Sequence, residues 1–329
     1  MIQRRDFLAA LACSMAAPAI LAQTQAQTTI SKPARFILGF PPGGSLDSIA
    51  RLLSERIKGS YAPVVLVENR SGAGGRIAMD YVKAAEPDGS VVVMAPASVM
   101  VIYPHVYKRL SYDAFKDFTP VSTLCTFQFG FSVGPAVPAE VRTITQFAQW
   151  CKANPAQASF GSPGEGTMAH FAGIMVAKAA GIELTHVPYK GGAPAIQDVV
   201  GGQIAASVNV LSEPLPFAKE GRIRVLATTG AARSSYLPEV PTMREAGFRD
   251  FDIQEYFAAW APPKTPPRLV NALAEQIRAA VATKELQEAY ASRAFQPVVS
   301  GPTELSAMVR ADFERWAPVV KSTGFSLES

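Results

Sequence analysis

Ala34-Arg35-Phe36-Ile37-Leu38-Gly39-Phe40-Pro41-Pro42-Gly43-Gly44-Ser45-Leu46-Asp47 passes from a short apolar run, through a turn of prolines and glycines, into a segment with apolar residues at Ile49, Leu52, Leu53 and Ile57. The first part lacks the strict alternation of a half-exposed strand and reads as a strand buried on both faces. The last part has helical spacing. Strand, glycine turn and helix in that order open a βαβ unit, so a parallel sheet is expected. The order returns at residues 64–68, followed by helical spacing at Met79, Val82, Lys83 and Ala84, and again at residues 91–94. A second α/β domain follows. Ala158-Ser159-Phe160 leads through Gly161-Ser162-Pro163-Gly164-Glu165-Gly166-Thr167 into a helix predicted to end near Ala180. Strands are expected at 184–187, 205–210 and 225–229, a helix at 194–200, and a helical tail over 267–283, 286–293 and 302–323. The proline-rich stretch Ala261 to Pro267 marks the exit from the second domain. Domain one is therefore expected at about 31–126 plus 256–329, with 127–255 as the second lobe.

The 329 residues are 48% apolar and 18% charged, enough for a large core and too many for one small domain. A formal charge of +4 with no Lys/Arg block gives no support to nucleic-acid binding. Cys13, Cys125 and Cys151 form no CxxC pair, and His105, His170 and His186 form no HExxH, so no metal site is expected. Cys125 and Cys151 either pair or lie buried apart in an oxidising compartment. Arg4-Arg5 precede the apolar run from Phe7 to Ala22 and a polar exit, the pattern of a signal peptide. We expect it to cover 1–26, cleaved after Ala22 or Ala26, by the twin-arginine or the Sec route, leaving a periplasmic protein.

The two glycine turns carry the chemistry. Glycines let backbone N–H groups approach a ligand closely. The helix that follows leaves unpaired donors in a field equivalent to about +0.5 charge. Such turns bind oxyanions. Neither contains Lys or Arg, so a small carboxylate held by neutral dipoles is the favoured ligand. Other readings compete. Gly39 to Ser45 has the outer spacing of a P-loop but lacks its lysine. Gly164 to Ala169 fits GxGxxA, with Glu183 downstream, the weak form of a dinucleotide pattern. Ser162 follows Phe160 where a GxSxG elbow needs glycine. An exported dinucleotide-dependent or hydrolytic enzyme of metabolite salvage is thus the alternative. Asp47 reads as a helix-dipole complement paired with Arg51, and His170 as a helix-face contact or a ligand hook.

Several motifs resemble one family. They are Phe40-Pro41-Pro42-Gly43-Gly44-Ser45 with Asp47, Val67-Glu68-Asn69-Arg70 with Gly72 to Gly75, Pro87-Asp88-Gly89, Tyr189-Lys190-Gly191 and Pro238 with Val240-Pro241-Thr242. Together they are similar to the Bug (Bordetella uptake gene) or TctC-like solute-binding proteins of tripartite tricarboxylate transporters. The resemblance implies a type II periplasmic-binding-protein fold, two Rossmann-like lobes joined by crossing strands near 127–133 and 254–261. It implies ligand contacts from Pro41, Pro42, Gly43, Gly44, Ser45 and Asp47 in one lobe, and from Gly161, Ser162, Gly164, Gly166 and Thr167 in the other. Ser98, His170 and Asn209 are expected to face the variable end of the ligand. The implied ligand is a dicarboxylate, tricarboxylate, aromatic acid or amino acid, bound without cofactor, catalytic residue or metal. The implied partners are membrane transport subunits or a sensor, with the receptor a monomer. Glu165, Tyr256 and Glu213-Pro214 depart from the family pattern, so the ligand specificity of the family does not carry over to this chain. Glu165 either points to solvent or meets a cationic ligand group.

Overall fold

The computed structural model describes residues 29–248 and 251–328, so the expected signal peptide lies outside the described residues. Among the described residues nine strands form one sheet: β1 (Ala34–Leu38), β2 (Val65–Asn69), β3 (Val91–Pro96), β4 (Thr119–Val133), β5 (Ser159–Ser162), β6 (Thr185–Pro188), β7 (Ala206–Val210), β8 (Arg224–Thr228) and β9 (Gln254–Ala261). The order is β2-β1-β3-β9-β4-β7-β5-β6, with β8 also paired to β4.

β1 pairs in parallel with β2 and β3, and β5 in parallel with β6 and β7, as the spacing predicts. The sheet as a whole is mixed, which corrects the parallel expectation. β9 runs antiparallel to β3, and β4 antiparallel to β9, β7 and β8. The reason lies in connectivity: a strand that arrives from the other half of the sheet enters against the local direction. β4 does so without a break. Its Thr119–Gln128 portion pairs with β9, and its end pairs with β7 and β8. Register shifts near Pro120, Thr123 and Phe131 add the local twist that lets one strand serve both halves. β4 changes partner from β9 to β7 between Gln128 and Phe129.

Every residue of β3 is buried. The helix Ser45–Ile57 lays Ile49, Leu53 and Ile57 on the core, and the helix Pro302–Thr323 contributes Leu305, Val309, Trp316 and Val320. That last helix starts at Pro302, where the Glu304 carboxylate accepts the Gly301 N–H at 2.8 Å. Beyond it the chain ties both halves together. Leu327 exchanges backbone bonds with Val106 and Lys108, while the Phe325 ring meets His170 edge-on at 4.7 Å. Cys125 and Cys151 are buried free thiols, which settles their pairing.

Candidate functional site

Three strands end in a glycine turn and then a helix, and all three helix N-termini line one cavity of ≈ 270 Å³. β1 leads to the helix Ser45–Ile57, β5 to Met168–Ala180, and β6 to Gly192–Val200. Ligands of open α/β sheets bind outside the carboxyl ends of strands, and these turns occupy that position. The walls are Pro41, Pro42, Gly44 to Asp47, Pro163, Thr167, Ala169 and Lys190 to Pro194. The floor is aromatic, built from Phe40, Phe127, Phe129 and Phe257, with Phe127 and Phe257 ring centroids 4.4 Å apart. First-turn N–H groups of a helix have no intrahelical partner, so each terminus carries about half a positive charge, although at the second helix Ser98 already accepts the Met168 N–H and Thr167 the His170 N–H.

Pro41, Pro42, Gly44, Ser45, Asp47, Ser98 and Thr167 are thus brought together. The other expected contacts stand behind the wall, because their polar groups serve the chain itself. Gly43, at φ +84°, donates its N–H to Asp47 Oδ2 at 3.0 Å. Gly161 is packed between Ile204 and Tyr189. Ser162 is fully buried, 2.8 Å from His186 Nε2 and 3.1 Å from the Gly164 carbonyl. Gly164 faces a neighbouring groove with Glu165, Arg76 and Lys190, so Glu165 turns away from the cavity. Gly166 donates its N–H to His170 Nδ1 at 3.2 Å. His170 is therefore a loop brace and not a hook. Asn209, fully buried, donates to the Gly192 carbonyl at 3.3 Å and holds the third helix. Thr167 caps the second helix, accepting the His170 N–H.

Asp47 is a clasp for the first turn. Arg51 donates to both its oxygens at 2.8 and 3.0 Å, and Asn69 donates at 3.1 Å. Burial works to raise its carboxyl, but the bonds from Arg51, Gly43 and Asn69 outweigh that and hold it below the usual range. Ser98 joins two elements: its hydroxyl donates to Glu255 Oε1 and accepts the Met168 N–H at 3.1 Å, and its N–H donates to the same Glu255 oxygen at 2.8 Å.

Two acids line the cavity: Glu213, noted in the sequence only as a departure from the family pattern, and Glu255, which sequence reasoning missed. Ser45 Oγ donates to Glu213 Oε1 at 2.9 Å and lies 2.7 Å from Ser212 Oγ. Burial pushes both carboxyls up to about 7, against hydrogen bonds from Ser45 and Ser98 respectively. The third turn, Lys190-Gly191-Gly192, was also unplaced, although Gly191 at φ +101° repeats the local signature of the other two. Behind the second turn, His170 and His186 stack at 3.8 Å. Burial, with the His186 ring beside it, lowers the His170 imidazole, and burial lowers His186.

These shifts oppose one another. A histidine lowered by folding contributes stability above about pH 6.5 that is lost on acidification. A glutamate raised to about 7 makes the reverse contribution, present below about pH 4.5 and lost as pH rises through 7. Glu255→Gln removes one opposing proton. The variant should become more acid-sensitive than the parent by about 1 kcal/mol per pH unit between pH 5 and 6.5. Melting temperatures of both proteins across that range check this, and parallel curves would refute it.

A two-lobed α/β chain with a cavity of helix N-termini at the join defines a solute-binding receptor. The sequence model of the tripartite tricarboxylate transporter family receptor, TctC, matches residues 49–325, and the chain belongs to that family. Protein BugT of Bordetella pertussis is 30% identical over 98% of each chain. Among solved structures, the periplasmic binding protein BugD is 29% identical at a TM-score of 0.84, covering 90% of this chain and 98% of that one. R. palustris Rpa4515, solved with adipate, is 28% identical at a TM-score of 0.85, covering 90% and 98%.

Proposed function

We propose that this chain is a periplasmic receptor that captures a small carboxylate-bearing molecule between its lobes, residues 31–126 plus 256–329 and 127–255. The observation that carries this reading is the convergence of three helix N-termini on one cavity. Their summed field favours an anion without any buried Lys or Arg. The apolar floor suits a short carbon skeleton. The adipate held by Rpa4515 supports the same ligand class. The receptor acts as a monomer, closing on its hinge and presenting the enclosed ligand to the membrane subunits of a tripartite transporter or to a sensor.

Binding without chemistry fits the side chains available. Ser162 and His186 have the spacing of a nucleophile and its base, but Ser162 is fully buried and outside the cavity. The test is thermal. A panel of dicarboxylates, tricarboxylates, aromatic acids and amino acids should contain members that raise the melting temperature with no product formed. Ligand at a hundred times its Kd adds about 2.7 kcal/mol. Turnover of a panel member, or stabilisation by NAD alone, would replace the receptor with the enzyme reading.

A further inference from the structure

Resting on that receptor reading, the geometry points to a narrower ligand: we propose that it carries a protonated amine as well as its carboxylate, and that Glu213 Oε2 is the atom that receives the amine. Glu213 supplies a carboxyl to the cavity, and an ammonium group beside it would hold that carboxyl ionised against its burial. Its Oε1 is bound by Ser45 at the N-terminus of the first helix, and its Oε2 lies so close to Gly192, at the N-terminus of the third, that a Cβ there would stand 1.7 Å away. Part of the positive field of the three helices is therefore answered from within the chain. What remains suits one ligand carboxylate.

Oε2 has no hydrogen-bond partner and is covered where it sits against Gly192, so a ligand N–H meets it once the Glu213 carboxylate turns off that contact toward the cavity. A buried carboxylate oxygen without a donor is costly, and a ligand N–H in the cavity is the group that would satisfy it. Glu255, also on the cavity wall and 3% exposed, adds a second carboxylate whose Oε1 is consumed by Ser98. Lys190 lines the same cavity from an exposed position, and its charge suits the carboxylate end of the ligand. A diacid would bring its second carboxylate against this acidic wall. A zwitterion has the complementary charge at both ends.

The probes are matched pairs in which an ammonium replaces one carboxylate: succinate with 3-aminopropanoate, glutarate with 4-aminobutanoate, and adipate with 5-aminopentanoate. Calorimetry on the native chain should show the amino acid of at least one pair binding tenfold or more tighter than its diacid. Glu213→Gln, which keeps the size and the Ser45 contact, should erase or reverse that ratio. Gly192→Ala provides a second route, since its Cβ must push the carboxylate aside without removing the charge, and amino-acid affinity should fall there too. Molecules released from protein purified without refolding should contain a basic nitrogen. Diacids that bind more tightly than their partners, with the same ratio in Glu213→Gln, would overturn the proposal and leave the receptor standing. So would a retained ligand with carboxylates alone. No retained molecule and no binding by any probe would bring down the receptor reading together with the proposal.

Discussion

Gly44→Val is expected to abolish binding of the acid that stabilises the parent chain, by at least a hundredfold, with the fold retained. Gly44 precedes the first helix at φ −80°, ψ 178°, extended backbone that any residue adopts. A Cβ there would lie 3.8 Å from the Pro41 carbonyl and 3.9 Å from Glu213 Oε1, so a methyl group fits. Valine adds two further methyls on the cavity side, over the first-turn N–H groups that the anion needs. The cost to folding is small. Glycine is a better N-cap than valine, which takes about 1 kcal/mol, or a few degrees of melting temperature. Gly44→Ala should show an intermediate loss of affinity. Calorimetry with unchanged affinity in Gly44→Val would remove the first turn from the site.

The parts of this site that were legible are the ones written locally. Phe40 to Ser45 and Phe160 to Thr167 announce a strand, a tight turn and a helix start within eight residues each, and Thr167 does cap its helix. The same signature stands at Pro188 to Gly192, so the third terminus was readable on the same grounds. The acids were not. Glu255 is a single charge in the apolar strand Gln254–Ala261, and its place depends on Ser98, 157 positions away, coming alongside. No periodicity encodes such a pair. The helical position of His170 is legible, but the direction of its ring is set by His186 and by the Gly166 N–H, which meet it only after β5 and β6 pair. The sense of β4 and β9 is non-local in the same way: residue pattern marks a strand as buried, and only the path of the chain decides which way it runs.

Gly134→Ala should be the most destabilising single methyl in the second half of the sheet, and it should weaken ligand binding from a distance. Gly134 follows β4, and a Cβ on it would lie 1.9 Å from the Val199 carbonyl oxygen and 2.8 Å from the carbonyl carbon. Both are backbone atoms, so no rotamer relieves the contact. The helix Gly192–Val200 must slide or its end must unwind. Overpacking costs about 1–3 kcal/mol, and a backbone neighbour places this case at about 3 kcal/mol or above, a fall of roughly 5 °C or more for a chain of this size. That helix is a rod of about 13 Å, whose other end holds Gly192 against Glu213 and lines the cavity. Displacement at Val199 therefore reaches the ligand wall. Stability and affinity should fall together in Gly134→Ala, whereas Gly44→Val separates them. A melting temperature equal to the parent's would show that the strand and helix do not meet as closely as described. A destabilised protein with parental affinity would show that the third helix terminus does not touch the ligand, and would leave the anion to the first two.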